Sequence, residues 1–65
     1  MLSEKIINLR KSRGWSQEEL AEKLDVSRQS VSKWEKEICC PDITLLLDLA
    51  RILGVSVEYL LGADD

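Results

Sequence analysis

The 65-residue sequence has no His and no Phe, a single Pro, three Gly, and only two Cys, which are neighbours at Cys39 and Cys40. Without His, the usual general base near neutral pH is missing. No glycine-rich phosphate loop or base-paired nucleophile takes its place, so the chain reads as a non-enzyme. The acids fall at helix starts and on outward faces, where they complement the helix dipole. Two cysteines fall short of a structural zinc site's four ligands, and neither a metal nor a cofactor is expected. A disulfide between them is disfavoured too: bridged Cα atoms stand about 5.5 Å apart, whereas a trans peptide holds neighbours at about 3.8 Å. Two readings remain for the pair, small semi-buried loop residues or thiols that sense oxidants or soft metals. No apolar run approaches the roughly 20 residues that cross a bilayer. Nor does a basic-then-apolar leader open the sequence. The expectation is a cytoplasmic protein with no membrane partner.

What is present is a hydrophobic content of 45%, in which Leu, Ile and Val take a large share. A domain this small buries only about 60% of its unfolded surface and relies on regular packing. The composition favours a compact all-α core over residues 1–62, with residues 63–65 as an acidic tail. Leu2, Ile6 and Leu9 recur at helical spacing with Ile7 beside them. Ser3 is placed to cap this first helix, and Gly14 to end it in a left-handed conformation.

Ser16 and Glu19 then form a Ser-x-x-Glu capping box, with Trp15 and Leu20 as a hydrophobic staple around it. The device repeats as Val26, Ser27 and Val31, and again as Val55, Ser56 and Leu60. Between the second and third helices Asp25 takes the turn, a residue that tolerates left-handed backbone. Asp42 after Pro41 caps a fourth helix whose Leu45, Leu46, Leu49, Ile52 and Leu53 face inward, and Gly54 ends it. Tyr59, Leu60 and Leu61 belong to a short fifth helix closed by Gly62.

The stretch Gln17–Glu35 holds the functional signal. Its second helical pattern, Ser27-Arg28-Gln29-Ser30-Val31-Ser32-Lys33-Trp34-Glu35, has two apolar positions, Val31 and Trp34, and otherwise mostly hydroxyls, an amide and cations. With those two anchors inward, Arg28, Gln29, Ser32 and Lys33 face out and Ser30 lies at the margin. Arg pairs with guanine O6 and N7, Gln with adenine N6 and N7, and Lys reaches guanine acceptors or a phosphate. The first turn of the preceding helix, at Gln17, favours an anion through its free N–H groups and dipole.

The runs Trp15-Ser16-Gln17-Glu18-Glu19-Leu20-Ala21 and Val26-Ser27-Arg28-Gln29-Ser30-Val31-Ser32-Lys33-Trp34-Glu35 resemble the helix-turn-helix domain of phage repressors and Cro. That domain is also carried by bacterial regulators of the xenobiotic-response-element family. The similarity continues through Pro41-Asp42-Ile43 and Gly54-Val55-Ser56. It implies a five-helix repressor-like domain with its helix-turn-helix at helices 2 and 3, and a recognition helix over residues 27–36 in the major groove. By the same resemblance Arg28, Gln29 and Lys33 read most of the bases, and Ser32, on the same outward stripe, is placed to join them. Gln17 and Ser27 hold phosphates, with Ser30, Ser32 and Lys36 as lesser candidates. Lys11 and Arg13 add long-range attraction, and Arg10 and Glu35 form an internal ion pair between the first and third helices. Where the family commonly has Gly, this chain has Glu37, which bears on where the third helix stops.

The implied partner is a double-stranded, palindromic operator bound by a homodimer, most simply a repressor, that pairs around the final helix at Val57 and Leu61. The alternative is a protein-interaction module, an antitoxin or adaptor of the same fold. A net charge of −3 looks wrong for a DNA binder, but its distribution is uneven. Residues 1–36 carry eight Lys or Arg against six acids, a surplus of two, while residues 37–65 carry Arg51 against six acids. This polarity would orient the domain on a polyanion while conferring modest nonspecific affinity.

Overall fold

The computed structural model describes residues 1–62, and the expected acidic tail at 63–65 lies outside the described residues. Five helices follow one another: α1 (Leu2–Ser12), α2 (Gln17–Leu24), α3 (Arg28–Glu35), α4 (Ile43–Leu53) and α5 (Val57–Leu60). No strand occurs among the described residues, and no helix among them is long and apolar enough to cross a membrane.

Each helix from α2 on starts from a side-chain oxygen that accepts a backbone N–H three residues ahead. Ser16 Oγ accepts from Glu19, Ser27 Oγ from Ser30, Asp42 Oδ1 from Leu45 and Ser56 Oγ from Tyr59. Glu19 Oε1 accepts the Ser16 N–H in return at 2.9 Å, completing the capping box. Such a cap contributes about 1 kcal/mol by satisfying a donor the helix itself leaves open. The first helix departs from expectation. It begins at Leu2, one residue before Ser3, with Met1 at the cap position and Ser3 buried within the first turn. The chain's own ammonium group approaches Glu4 Oε1 at 3.5 Å there.

Four helices also end alike. A residue with positive φ is followed by one whose N–H bonds back five residues: Trp15 to Arg10, Val26 to Ala21, Ile38 to Lys33 and Val55 to Ala50. The left-handed residues are Gly14, Asp25, Glu37 and Gly54. This is the closure in which a C-terminal carbonyl is satisfied across a left-handed residue. Glu37 adopts φ 62° without being glycine, so α3 stops at Glu35 despite the substitution.

The helices enclose one core built from Ile6 of α1, Leu20, Ala21 and Leu24 of α2, Val31 and Trp34 of α3, Leu46, Leu49, Ala50 and Leu53 of α4, and Leu60 of α5. Leu2, Leu9, Trp15, Val26, Leu45, Ile52, Val55 and Val57 pack around it, half-buried. Trp15, Val26 and Val55 are the apolar residues that follow three of the left-handed turns, so those three helix endings are also packing points. The radius of gyration is 10.5 Å, near the roughly 11 Å expected of a packed chain this long.

Candidate nucleic-acid interface

Helix α2 packs chiefly against α3 across the three-residue turn Asp25–Ser27. Asp25 at φ 59° reverses the chain in a single residue, and Ala21, 2% exposed, sits small and buried in α2. Val31 and Trp34 are buried as the two anchors of α3, which fixes the helix's rotation about its axis.

A polar lock holds that orientation from behind. Arg10 Nε and a terminal guanidinium nitrogen donate to the two carboxylate oxygens of Glu35 at 2.7 and 3.1 Å. The other terminal nitrogen donates to the Trp15 carbonyl at 2.9 Å. The pair is nearly dry, with side chains only 11% and 6% exposed. Gln17 joins it, donating from Nε2 to Glu35 Oε1 at 2.9 Å. The sequence placed Gln17 on a phosphate. In the structure one of its two amide hydrogens is committed inward, tying the start of α2 to the end of α3.

On the opposite face Arg28, Gln29, Lys33 and Lys36 are exposed, with Ser32 half-buried among them. Together with Ile38 they line an open groove of about 300 Å³. Among the described residues, the side chains of Arg28, Gln29, Lys33 and Lys36 form no hydrogen bond or ion pair. Their donors are therefore left for an external acceptor. At the start of α3 the Ser27 and Ser30 hydroxyls share a 3.1 Å hydrogen bond, which leaves one hydroxyl proton of the two to be donated outward.

Three features were not read from the sequence. Arg13, which the sequence suggests for long-range attraction, instead donates from its guanidinium to the Leu53 carbonyl at 2.6 Å and stacks on Trp15 at 5.9 Å. It therefore closes the C-terminus of α4, where a cation is favoured. Ile38 occupies the place after a left-handed residue that Trp15, Val26 and Val55 use for packing, yet it is 66% exposed and lies in the groove. Cys39 and Cys40 are both exposed free thiols, against the reading of the pair as semi-buried loop residues. Of the final-helix residues, Leu61 is exposed and Val57 half-buried against the core. Ile43 and Leu47, one turn apart on α4, are exposed as well.

Residues 6–60 match the helix-turn-helix family. The chain is 36% identical over 64 residues to the HTH-type transcriptional regulator ImmR of Bacillus subtilis, covering 98% of this chain and 50% of that protein. Its fold superposes on the P22 c2 repressor in complex with a synthetic operator with a TM-score of 0.93, at 33% identity, covering 98% of this chain and 97% of that one. SinR, a master regulator for biofilm formation solved in complex with DNA, superposes with a TM-score of 0.85 at 37% identity, covering 94% and 98%. The chain spans about half the length of the curated relatives it matches. Five helices, the left-handed turn between α2 and α3 and the match over residues 6–60 agree: the chain belongs to the helix-turn-helix family of transcriptional regulators.

Proposed function

We propose that the chain is the DNA-binding domain of a cytoplasmic transcriptional regulator, a repressor, that inserts α3 into the major groove of a palindromic operator. The carrying observation is the row of uncommitted donors on α3, opposite the buried Val31 and Trp34. Arg28 and Gln29, in the first turn of α3, approach base edges first, and Ser32 and Lys33 follow one turn later. Ser27, Ser30, Lys36 and the second amide hydrogen of Gln17 hold phosphates and set the register. Ile38, at the rim of the same groove, presents apolar surface suited to a thymine methyl.

One domain covers only a few base pairs, so a second copy is needed about 34–36 Å along the duplex. Pairing uses the surface around α5, where Leu61 is exposed. The test is selection of bound sites from random duplex DNA, followed by titration of the selected site with wild type, Arg28→Ala and Gln29→Ala. A two-fold symmetric site and a loss of about 5- to 150-fold for each substitution, corresponding to 1–3 kcal/mol, support the reading. Binding unchanged by both substitutions refutes it and favours a protein partner for the same fold.

A further inference from the structure

The chain contains three sulfur atoms, in Met1, Cys39 and Cys40, and all three residues line one cavity of about 210 Å³. The cavity lies between the start of α1 and the loop that follows α3, and Trp34 and Glu37 contribute to its wall. Every sulfur-bearing residue of the chain thus lines the same concave surface, from opposite ends of a 40-residue stretch. Met1 is 66% exposed, and both cysteines are exposed rather than buried as core residues. The two thiols cannot easily close on each other as a disulfide, because adjacent Cα atoms are held too near. They therefore persist as a neighbouring dithiol.

From this arrangement we infer a site for one soft monovalent cation, copper(I), held by the two thiolates of Cys39 and Cys40 and the thioether of Met1. The donor set selects the ion. Thiolate and thioether sulfur favour copper(I), whereas hard divalent ions require oxygen ligands. Zinc is poorly served, since structural zinc takes four N, S or O ligands and no cluster of three His, Cys, Asp or Glu suited to a metal occurs among the described residues. Binding is a ligand exchange without electron transfer. Two S–H bonds release their protons to solvent, two metal–thiolate bonds form, and the thioether donates a lone pair with no proton to lose. One positive charge enters and two leave, so the segment after α3 becomes one unit more negative. Lys36 and Ile38 of the groove precede the cysteines in that segment.

The test is an anaerobic titration of the 65-residue chain with silver(I) as an air-stable surrogate, then with copper(I) buffered by a competing chelator. The chain carries a 13C-labelled Met1 methyl group for NMR. Saturation at one ion per chain with a shifted Met1 methyl resonance is the expected result. The Cys39→Ser and Cys40→Ser chains should each bind about 100-fold more weakly or worse, consistent with loss of a direct ligand exceeding the 10- to 100-fold effects of outer-shell partners. Because both side chains are exposed, far-UV circular dichroism should show these variants folded as wild type. A Met1 methyl unmoved at saturation overturns the three-sulfur site, as does affinity within about threefold of wild type in either Ser variant.

Discussion

Glu35 lets the lock behind the recognition face be tested directly. Its carboxylate is 6% exposed and accepts three hydrogen bonds, two from Arg10 and one from Gln17. In Glu35→Leu the Arg10 guanidinium, only 11% exposed, keeps its bond to the Trp15 carbonyl but loses its counter-ion. Breaking a buried pair from one side costs about 3–5 kcal/mol, because a desolvated charge is left uncompensated. A 65-residue domain has a total stability of about 3–10 kcal/mol at typical values per residue. The single variant should therefore lose between about a third and all of that stability. Arg10→Met combined with Glu35→Leu removes both charges and should recover most of the loss. A residue of about 1–2 kcal/mol should remain, because the Trp15 carbonyl and Gln17 amide lose their partners. Urea unfolding followed by far-UV circular dichroism measures all three chains. A Glu35→Leu midpoint equal to wild type, or a double variant no more stable than the single, would show that the pair does not hold α1 to α3.

Glu37→Gly should stabilise the chain by about 1 kcal/mol, since an L-residue in left-handed backbone costs about 1–2 kcal/mol and glycine returns part of that in entropy. For a domain of this size the melting temperature should rise by about 4–8 °C, and an unchanged or lower value counts against strain at φ 62°. Ile38→Ser should leave the urea midpoint nearly unchanged, as the side chain is 66% exposed. It should weaken binding only to sites with thymine at one position, which a comparison of selected sites for the two chains will reveal. Among the phosphate candidates only Lys36 is cationic, and neutral donors release no counterions. The slope of log affinity against log salt should therefore be shallow, about −2 to −3 per domain if Arg28 and Lys33 also contribute; a slope near −10 for a dimer would require basic contacts elsewhere.

The pattern of what the sequence disclosed follows the distance over which each feature acts. Caps at Ser16, Ser27, Asp42 and Ser56 join residues three apart, so the oxygen and the helix it starts lie in one short window. The left-handed turns at Gly14, Asp25 and Gly54 are equally local. Ser3 shows the limit of such reasoning: a hydroxyl near a helix start is a cap only if no earlier residue extends the helix, and Leu2 does so. Partners far apart in sequence were less accessible. Arg13 meets a carbonyl 40 positions away, and Gln17 a carboxylate 18 away. Nothing local distinguishes an arginine that ends a distant helix from one that faces a polyanion, and both positions carry plausible surface residues.

Ile38 explains why even a repeated local pattern can end differently. After Gly14, Asp25 and Gly54, the apolar residue is followed at once by a serine that caps the next helix, and the chain is drawn inward between two packed elements. After Glu37 the residue following Ile38 is Cys39, which begins no helix, and the next cap waits until Asp42. The backbone closure is the same, with the Ile38 N–H bonded to the Lys33 carbonyl at 2.9 Å, but no following helix pulls the side chain to the core. The segment from Lys36 to Pro41 is thereby released from packing. Its apolar and sulfur-bearing side chains line two surfaces instead, Ile38 the groove of α3 and the two cysteines the cavity beside Met1. Moving the cap forward tests this account: Cys39→Ser alone should not bury Ile38, because Pro41, two residues on, allows no helix to run from there through the position before it.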